Sequence, residues 1–254
     1  MIVADFIADY LLNKGIRNIF MLSGTGSIYL DDAFSSLASM EYICARHEAA
    51  AVLMAEAGAK LTGTIGVAVI TTGPGGANAI AGVVEAWVDS VPLLILSGQV
   101  ARNQILNGTR SFGVQGLNII DNVKNITKYA VRIDDPNSIR YHLEQAIHLA
   151  MSGRQGPVWL DIPMDVQATG IKIDDLQSFT TPVAEVSDDS LESVASVINM
   201  LREANRPMIV LGQGIRTAGL IPEFKKLANT INAPIIASRM ALDILPYNQM
   251  NYFG

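Results

Sequence analysis

The chain has 254 residues, half of them hydrophobic and 17% charged, with a formal net charge of −6. It is long enough to bury a sizeable core as one large or two smaller domains, and its low charge content excludes long disordered stretches. Lys and Arg never run beyond the pair Lys225–Lys226, so a nucleic-acid partner has no electrostatic footprint, and a single cysteine, Cys44, excludes an intrachain disulfide framework and a cysteine-based zinc site.

The first segment, MIVADFIADYLLNKG, places Ile2, Phe6, Ile7, Tyr10 and Leu11 on one helical face. It has no basic leading region and carries two Asp, which is unlike a signal peptide. No apolar run reaches the ~18 residues that span a bilayer. The expectation is a soluble cytoplasmic protein with no membrane partner.

Apolar runs then read as strands at 16–22, 41–45, 65–71, 92–98, 126–133 and 157–162. Helical patterns fill 28–38, 47–61, 76–89 and 136–152 between them. The strand runs are nearly continuous in apolar residues, as in strands covered on both faces. Their alternation with helices predicts an α/β domain with a doubly wound parallel sheet over residues 1–165. Cys44, in the run EYICA, reads as an inert thiol of a buried strand. Residues 166–188 carry Pro, Gly, Thr and acidic residues without a helical period and read as a linker. A second unit over 189–254 opens with a helix at 188–204, a strand at 207–214, a helix at 218–230 and a strand at 233–239. This is the start of a Rossmann-like unit with too few strands for an independent sheet. It predicts either a piece of a longer protein or a chain completed by another.

Four stretches combine turn chemistry with reactive or small residues. In TTGPGGAN (71–78) a strand runs into Gly73, Gly75 and Gly76 and then into a helix. Glycines let a ligand approach the backbone, and a helix start offers free N–H groups; a plain tight turn needs the same glycines. Arg46-His47-Glu48 opens like a zinc-protease helix, but HExxH would require His where Ala51 stands. Glu48 in a first turn could simply complement the helix dipole. Yet it follows an apolar strand and precedes the nearly uncharged AAAVLMAEAGA, so a carboxylate there needs a specific partner. SGTGS (23–27) also follows a strand, where open α/β sheets bind ligands; an ordinary loop with Ser27 capping the next helix explains it equally. GTRSFGVQGLN (108–118) is a polar loop whose Gln115 can donate and accept hydrogen bonds or merely face water. GQG at 212–214 is a weak phosphate-loop pattern that packing also explains.

Together FMLSGTGS (20–27), ARHEAAAVLMAEAGAKLTG (45–63), GVAVITTGPGGANAIAGVVEAWVDSVPLLILSGQV (66–100) and GPVWLDIPMDVQ (156–167) resemble the N-terminal half of thiamine-diphosphate-dependent enzymes of the acetolactate synthase type. RHEAAA and TGPGGAN at this spacing are specific to that family. The resemblance implies a pyrimidine-binding domain followed by the start of a middle domain. It also implies a role for Glu48: hydrogen bonding N1′ of the cofactor's aminopyrimidine, so that the imino tautomer removes the thiazolium C2 proton. The chemistry is sensible, because a desolvated carboxylate shares a proton well with a ring nitrogen, while the cofactor supplies the electron sink. By the same resemblance Thr72, Gly73, Pro74 and Asn78 line the pyrimidine side, Gly24, Thr25 and Gly26 face the substrate-reacting carbon, and Gln115 lies near the reaction centre. The implied activity is decarboxylation of a 2-keto acid and transfer of its acyl carbanion to a second carbonyl compound.

The sequence departs from the family at two loops and by an absence. Val114-Gln115-Gly116 stands where acetolactate synthases usually read Phe-Gln-Glu, and SGTG replaces the usual Pro-Gly-Gly pattern. Both changes look more like synthase-like carboligases of sugar and surface-polysaccharide pathways. No GDG occurs, so the Mg²⁺ and diphosphate site of the family would lie on a further domain, and no metal ligand is expected here. The family's middle domain binds FAD in some members, and its active site lies between subunits, which implies a homodimer or homotetramer. By this account 254 residues alone would not turn over. Two other readings are a half-length subunit that completes a partner chain without activity of its own, and a noncatalytic nucleotide-binding α/β module.

Overall fold

An amphipathic first helix anchors the fold: α1 (Val3–Asn13) buries Val3, Phe6, Ile7 and Leu11, and Asp5 Oδ2 accepts from the Ile2 N–H at its start. The structure, a computed structural model, describes residues 1–105, 112–182 and 189–254. Of the loop predicted at 108–118, positions 108–111 lie outside the described residues. The chain divides into two units, Met1–Thr181 and Pro182–Gly254.

In the first unit α1 is followed by β1 (Asn18–Met21), α2 (Ile28–Ser36), β2 (Glu41–Cys44), α3 (Glu48–Thr62) and β3 (Gly66–Ile70). Then come α4 (Pro74–Asp89), β4 (Leu93–Gln99), α5 (Ile119–Val123), β5 (Tyr129–Arg132), α6 (Ile139–Met151), β6 (Pro157–Pro163) and α7 (Met164–Gln167). The six strands form one sheet in the order β2-β1-β3-β4-β6-β5, parallel throughout. Side chains alternate between its faces. Val67, Val69, Leu94, Leu96, Val158 and Leu160 join the core beneath α1, α2 and α6. Ala68, Ile70, Leu93, Ile95 and Trp159 join the core beneath α3, α4 and α5. Helices on both faces are why β3, β4 and β6 are buried along their whole length and read as unbroken apolar runs.

Two expectations need correcting. All four residues of β2 are exposed, and Cys44 is a free, exposed thiol rather than a buried one. The run EYIC is apolar, but β2 is an edge strand with β1 as its one neighbour. The first unit also extends past the boundary expected at 165. Val166, Ile171 and Leu176 enter its core, the Val3 N–H donates to Thr169 O at 3.0 Å, and the Phe179 N–H donates to Glu144 Oε2 at 2.7 Å. Short apolar residues scattered through a polar stretch lack a period, yet they cover the end of the α1 face.

The second unit contains α8 (Asp189–Glu203), β7 (Ile209–Leu211), α9 (Gly214–Thr217), α10 (Ile221–Thr230) and β8 (Ile235–Ala237). Strands β7 and β8 pair in parallel. Leu211, Phe224, Ala228, Ile235, Ile244 and Tyr252 form its core. Asn251 Nδ2 donates to the carbonyls of Ala228, Ile231 and Ala233, closing the turn between α10 and β8. The GQG of 212–214 forms the step from β7 into α9.

Candidate functional site

Strand β1 leads outward to β2 on one side, while β3 lies on its other side. Open α/β sheets bind ligands beyond the carboxyl ends of their strands at such a reversal. Three predicted segments meet there: the loop after β1, the start of α3 after β2, and the turn after β3.

Helices α3 and α4 lie close because α4 has glycine where α3 presses on it. A Cβ on Gly82 would stand 2.8 Å from Val52 Cβ. Their first turns are therefore neighbours. His47, in extended backbone at φ −157°, caps α3 through Nδ1, which accepts from the Ala49 N–H at 3.2 Å. Glu48 follows, 8% exposed, and its Oε2 accepts from Asn78 Nδ2 at 3.0 Å. Oε1 has no hydrogen-bond partner among the described residues and faces Gly75, where a Cβ would sit 3.3 Å away. The carboxylate demanded a partner, and it has one for a single oxygen. The other oxygen is free to accept from a ligand N–H or to share a proton with a ring nitrogen.

The turn into α4 is built on Gly73, at φ +60° and ψ −117°, with Pro74 at the first helical position. A Cβ on Gly73 would overlap the Gln115 carbonyl oxygen at 1.8 Å. Gln115 itself sits at φ +62°, with its side chain exposed. The structure thus brings Gln115 to the turn through its backbone.

The loop after β1 forms a single 3₁₀ turn, Thr25–Ser27. Gly26 N donates to Thr71 Oγ1 at 3.1 Å, and Gly26 O accepts from Gln167 Nε2 at 2.7 Å. The loop lies so close to β4 that a Cβ on Gly98 would stand 2.0 Å from Gly26 O. Gly24 packs against the Thr71 side chain, and Thr25 is exposed. Ser27 makes no side-chain cap to α2; its hydroxyl donates instead to Gly24 O at 3.2 Å or Asp31 Oδ2 at 3.1 Å. Asp31 also accepts from the Gly24 N–H at 3.3 Å, and burial pushes its carboxyl up to about 6 against those two hydrogen bonds. Asp31 borders an open hollow of about 470 Å³ with Ser23, Gly24, Thr25, Tyr42 and Cys44.

Gly24, Gly26, Glu48, Thr72, Gly73, Pro74, Asn78 and Gln115 therefore belong to one cluster of loops, joined by side-chain hydrogen bonds and by close approaches at glycines. Gly98, Gln99, Asp31 and Asp161 belong to the same region and were missed in the sequence. The available signal was polar residues inside otherwise apolar strands: Ser97, Gln99 and Asp161 are each 1% exposed. Among the described residues no group of three or more His, Cys, Asp and Glu is arranged for a metal ion, and no helix is long and apolar enough to cross a membrane.

Comparison with known proteins adds a family. Residues 1–129 match the thiamine pyrophosphate enzyme N-terminal TPP binding domain, and residues 194–254 match the thiamine pyrophosphate enzyme central domain. The large subunit of acetolactate synthase isozyme 3 from Escherichia coli (strain K12) is 30% identical over 254 residues, covering 99% of this chain and 44% of that protein. The acetolactate synthase large subunit of Lactococcus lactis is 32% identical over 255 residues, covering 99% of this chain and 43% of that protein. The chloroplastic acetolactate synthase of Arabidopsis thaliana is 29% identical over 249 residues, covering 96% and 36%. The chain spans less than half the length of these relatives.

Proposed function

Since this chain belongs to the thiamine pyrophosphate enzyme family, we propose that it carries the pyrimidine-binding part of an acetolactate synthase-like decarboxylase-carboligase. The observation that carries this reading is the Glu48–Asn78 pair, with Glu48 Oε1 beside Gly75 and without a partner among the described residues. The residues fit the aminopyrimidine of thiamine diphosphate: an acceptor oxygen at the edge of a cradle that any side chain on Gly75 would fill.

When bound, thiamine diphosphate supplies a nucleophilic thiazolium carbon and an electron sink for decarboxylation of a 2-keto acid. The protein's part is orientation and proton handling. Glu48 holds or accepts the proton shared with the pyrimidine N1′, and Asn78 fixes the carboxylate so that one oxygen is always presented. Thr72, Gly73 and Pro74 bring bare backbone beside the ring. Gly24, Thr25 and Gly26 line the approach of the substrate, and the Gln115 side chain, exposed at the rim, is available to it. Mg²⁺ and the diphosphate grip belong to a further domain in this reading, FAD binding to a completed middle domain, and the working enzyme to a homodimer or homotetramer with sites between subunits. The test is to incubate the whole protein with thiamine diphosphate, Mg²⁺ and pyruvate. Release of CO₂ with formation of acetolactate supports the reading; no CO₂ from any 2-keto acid overturns it.

A different acceptor substrate is favoured by one observation. Gly116 closes a tight turn in which its carbonyl accepts from the Phe112 N–H at 3.1 Å, and a Cβ there would stand 2.0 Å from Phe112 O. This loop geometry has no room for the Glu that acetolactate synthases usually carry. On this second reading the donor is still a 2-keto acid, and the acceptor is a sugar-derived carbonyl compound. The same incubation, with pyruvate and a sugar aldehyde in competition, separates the two by product.

A further inference from the structure

Gln99 ends β4 and uses its whole amide. Its Oε1 accepts from the Val100 N–H at 3.0 Å and from Thr72 Oγ1 at 2.7 Å. Its Nε2 donates to Leu117 O at 2.8 Å and to Asp161 Oδ2 at 2.9 Å. The backbone partners decide which end of the amide is which, because a peptide N–H only donates and a peptide carbonyl only accepts. Asp161, buried on β6, takes a second hydrogen bond from Ser97 Oγ at 2.5 Å. Ser97 Oγ in turn accepts from Trp159 Nε1 at 2.8 Å. Donors and acceptors are thus matched along a path from the Trp159 indole to Thr72. Since the Thr72 hydroxyl gives its proton to Gln99, any further partner of that oxygen must be a donor.

The placement of the two loop contacts matters most. Thr72 precedes Gly73, and Leu117 follows Gln115 by two residues. Gln99 therefore grips both sides of the close contact between Gly73 and the Gln115 carbonyl. Neither segment is tied to the other by a direct hydrogen bond among the described residues. Buried amides that satisfy four partners hold them in one arrangement, because breaking any bond strands a polar group away from water.

We propose that Gln99, oriented by Asp161, is a positioning residue that fixes the Gly73 turn and the Gln115 segment as a single unit at the site. Its consequence for cofactor binding rests on the thiamine-diphosphate reading above; the coupling of the two segments does not.

The experiment is hydrogen–deuterium exchange by mass spectrometry on the whole protein and on Thr72→Val, which cuts one arm of the grip while keeping the side chain's shape. The reporting amides are Gly75 and Ala77, bonded to Thr72 O and Gly73 O, and Phe112, bonded to Gly116 O. The expected result is exchange at least tenfold faster in both 71–78 and 112–118, with peptides of β3 and β4 unchanged. Faster exchange in 71–78 alone, or loss of protection throughout the sheet, overturns the proposal. Gln99→Met, which cuts both arms, should exceed Thr72→Val in the same two segments if it folds. In parallel, thiamine diphosphate is titrated with Mg²⁺ by tryptophan fluorescence, and Thr72→Val should raise its Kd about tenfold. An unchanged Kd overturns the cofactor consequence. A wild-type protein that binds no thiamine diphosphate overturns the functional reading instead, and the exchange result still decides the coupling.

Discussion

Asn78 Nδ2 donates to Glu48 Oε2 at 3.0 Å across thirty residues of sequence, from near the start of α4 to the first residue of α3. The bond spends one carboxylate oxygen on the protein and reserves the other. It also explains why an acidic side chain is tolerated at 8% exposure beside an apolar helix.

Glu48→Gln keeps the shape and the Asn78 contact but removes the ionisable oxygen. In the whole protein loaded with thiamine diphosphate, exchange of the thiazolium C2 proton followed by NMR should slow by at least about 100-fold, in the range of a lost acid–base group. Unfolding by urea should change little. Exchange at the wild-type rate would remove Glu48 from proton transfer.

Two glycines with similar φ angles should respond differently to alanine. Gly63 ends α3 at φ +70°, and a Cβ there would meet nothing within 4 Å, so Gly63→Ala should cost about 1 kcal/mol from the backbone alone. At Gly73 the same methyl meets the Gln115 carbonyl at 1.8 Å, and Gly73→Ala should cost more than about 3 kcal/mol. Urea denaturation measures both; equal losses would show that the Gln115 segment yields freely.

Burial pushes the Asp161 carboxyl up to about 7, reinforced by Asp134 and opposed by the Ser97 and Gln99 hydrogen bonds and by Arg132. The folded protein therefore holds this proton more tightly than the unfolded chain does. The stabilisation is full below the ordinary carboxyl range and is lost as pH rises through about 7. Relative to Asp161→Asn, the wild type should lose stability between about pH 4 and pH 7, by a few kcal/mol at about 1.4 kcal/mol per unit, and level off above that. Subtracting the variant cancels Asp31, whose carboxyl is displaced in the same direction. A constant difference across that range would mean that Asp161 does not titrate there.

The exposed edge strand predicts an accessible thiol. Native protein should react with a disulfide reagent at Cys44 to one equivalent, at a rate unchanged by mild denaturant. Reaction only after unfolding would show that β2 is covered in solution.

The strands and helices of the first unit were legible because both faces of the sheet are covered, which writes β3, β4 and β6 as unbroken apolar runs. That rule misled at β2: EYIC is as apolar as a central strand, and its edge position depends on pairing order, which local sequence does not encode. Glu48 and the glycine turn were singled out by the family resemblance, because each stretch alone reads equally well as ordinary packing. Gln99 and Asp161 were not, because each occurs in a strand that looks complete without it, and their meaning lies in bonds spanning 27 and 62 residues. The reach of the first unit to Thr181 was hidden for a related reason. Ile171 and Leu176 are isolated apolar residues that join the same core as residues of α1 and α6.

The angles of Gly73, φ +60° and ψ −117°, are the mirror image of an ordinary extended L-residue. For one position the backbone follows the path of the opposite enantiomer, and glycine, being achiral, belongs to both hands. A D-alanine introduced there by chemical ligation would adopt these angles without torsional cost and would point its methyl away from the Gln115 carbonyl. The turn discriminates between substituents by handedness as well as by size.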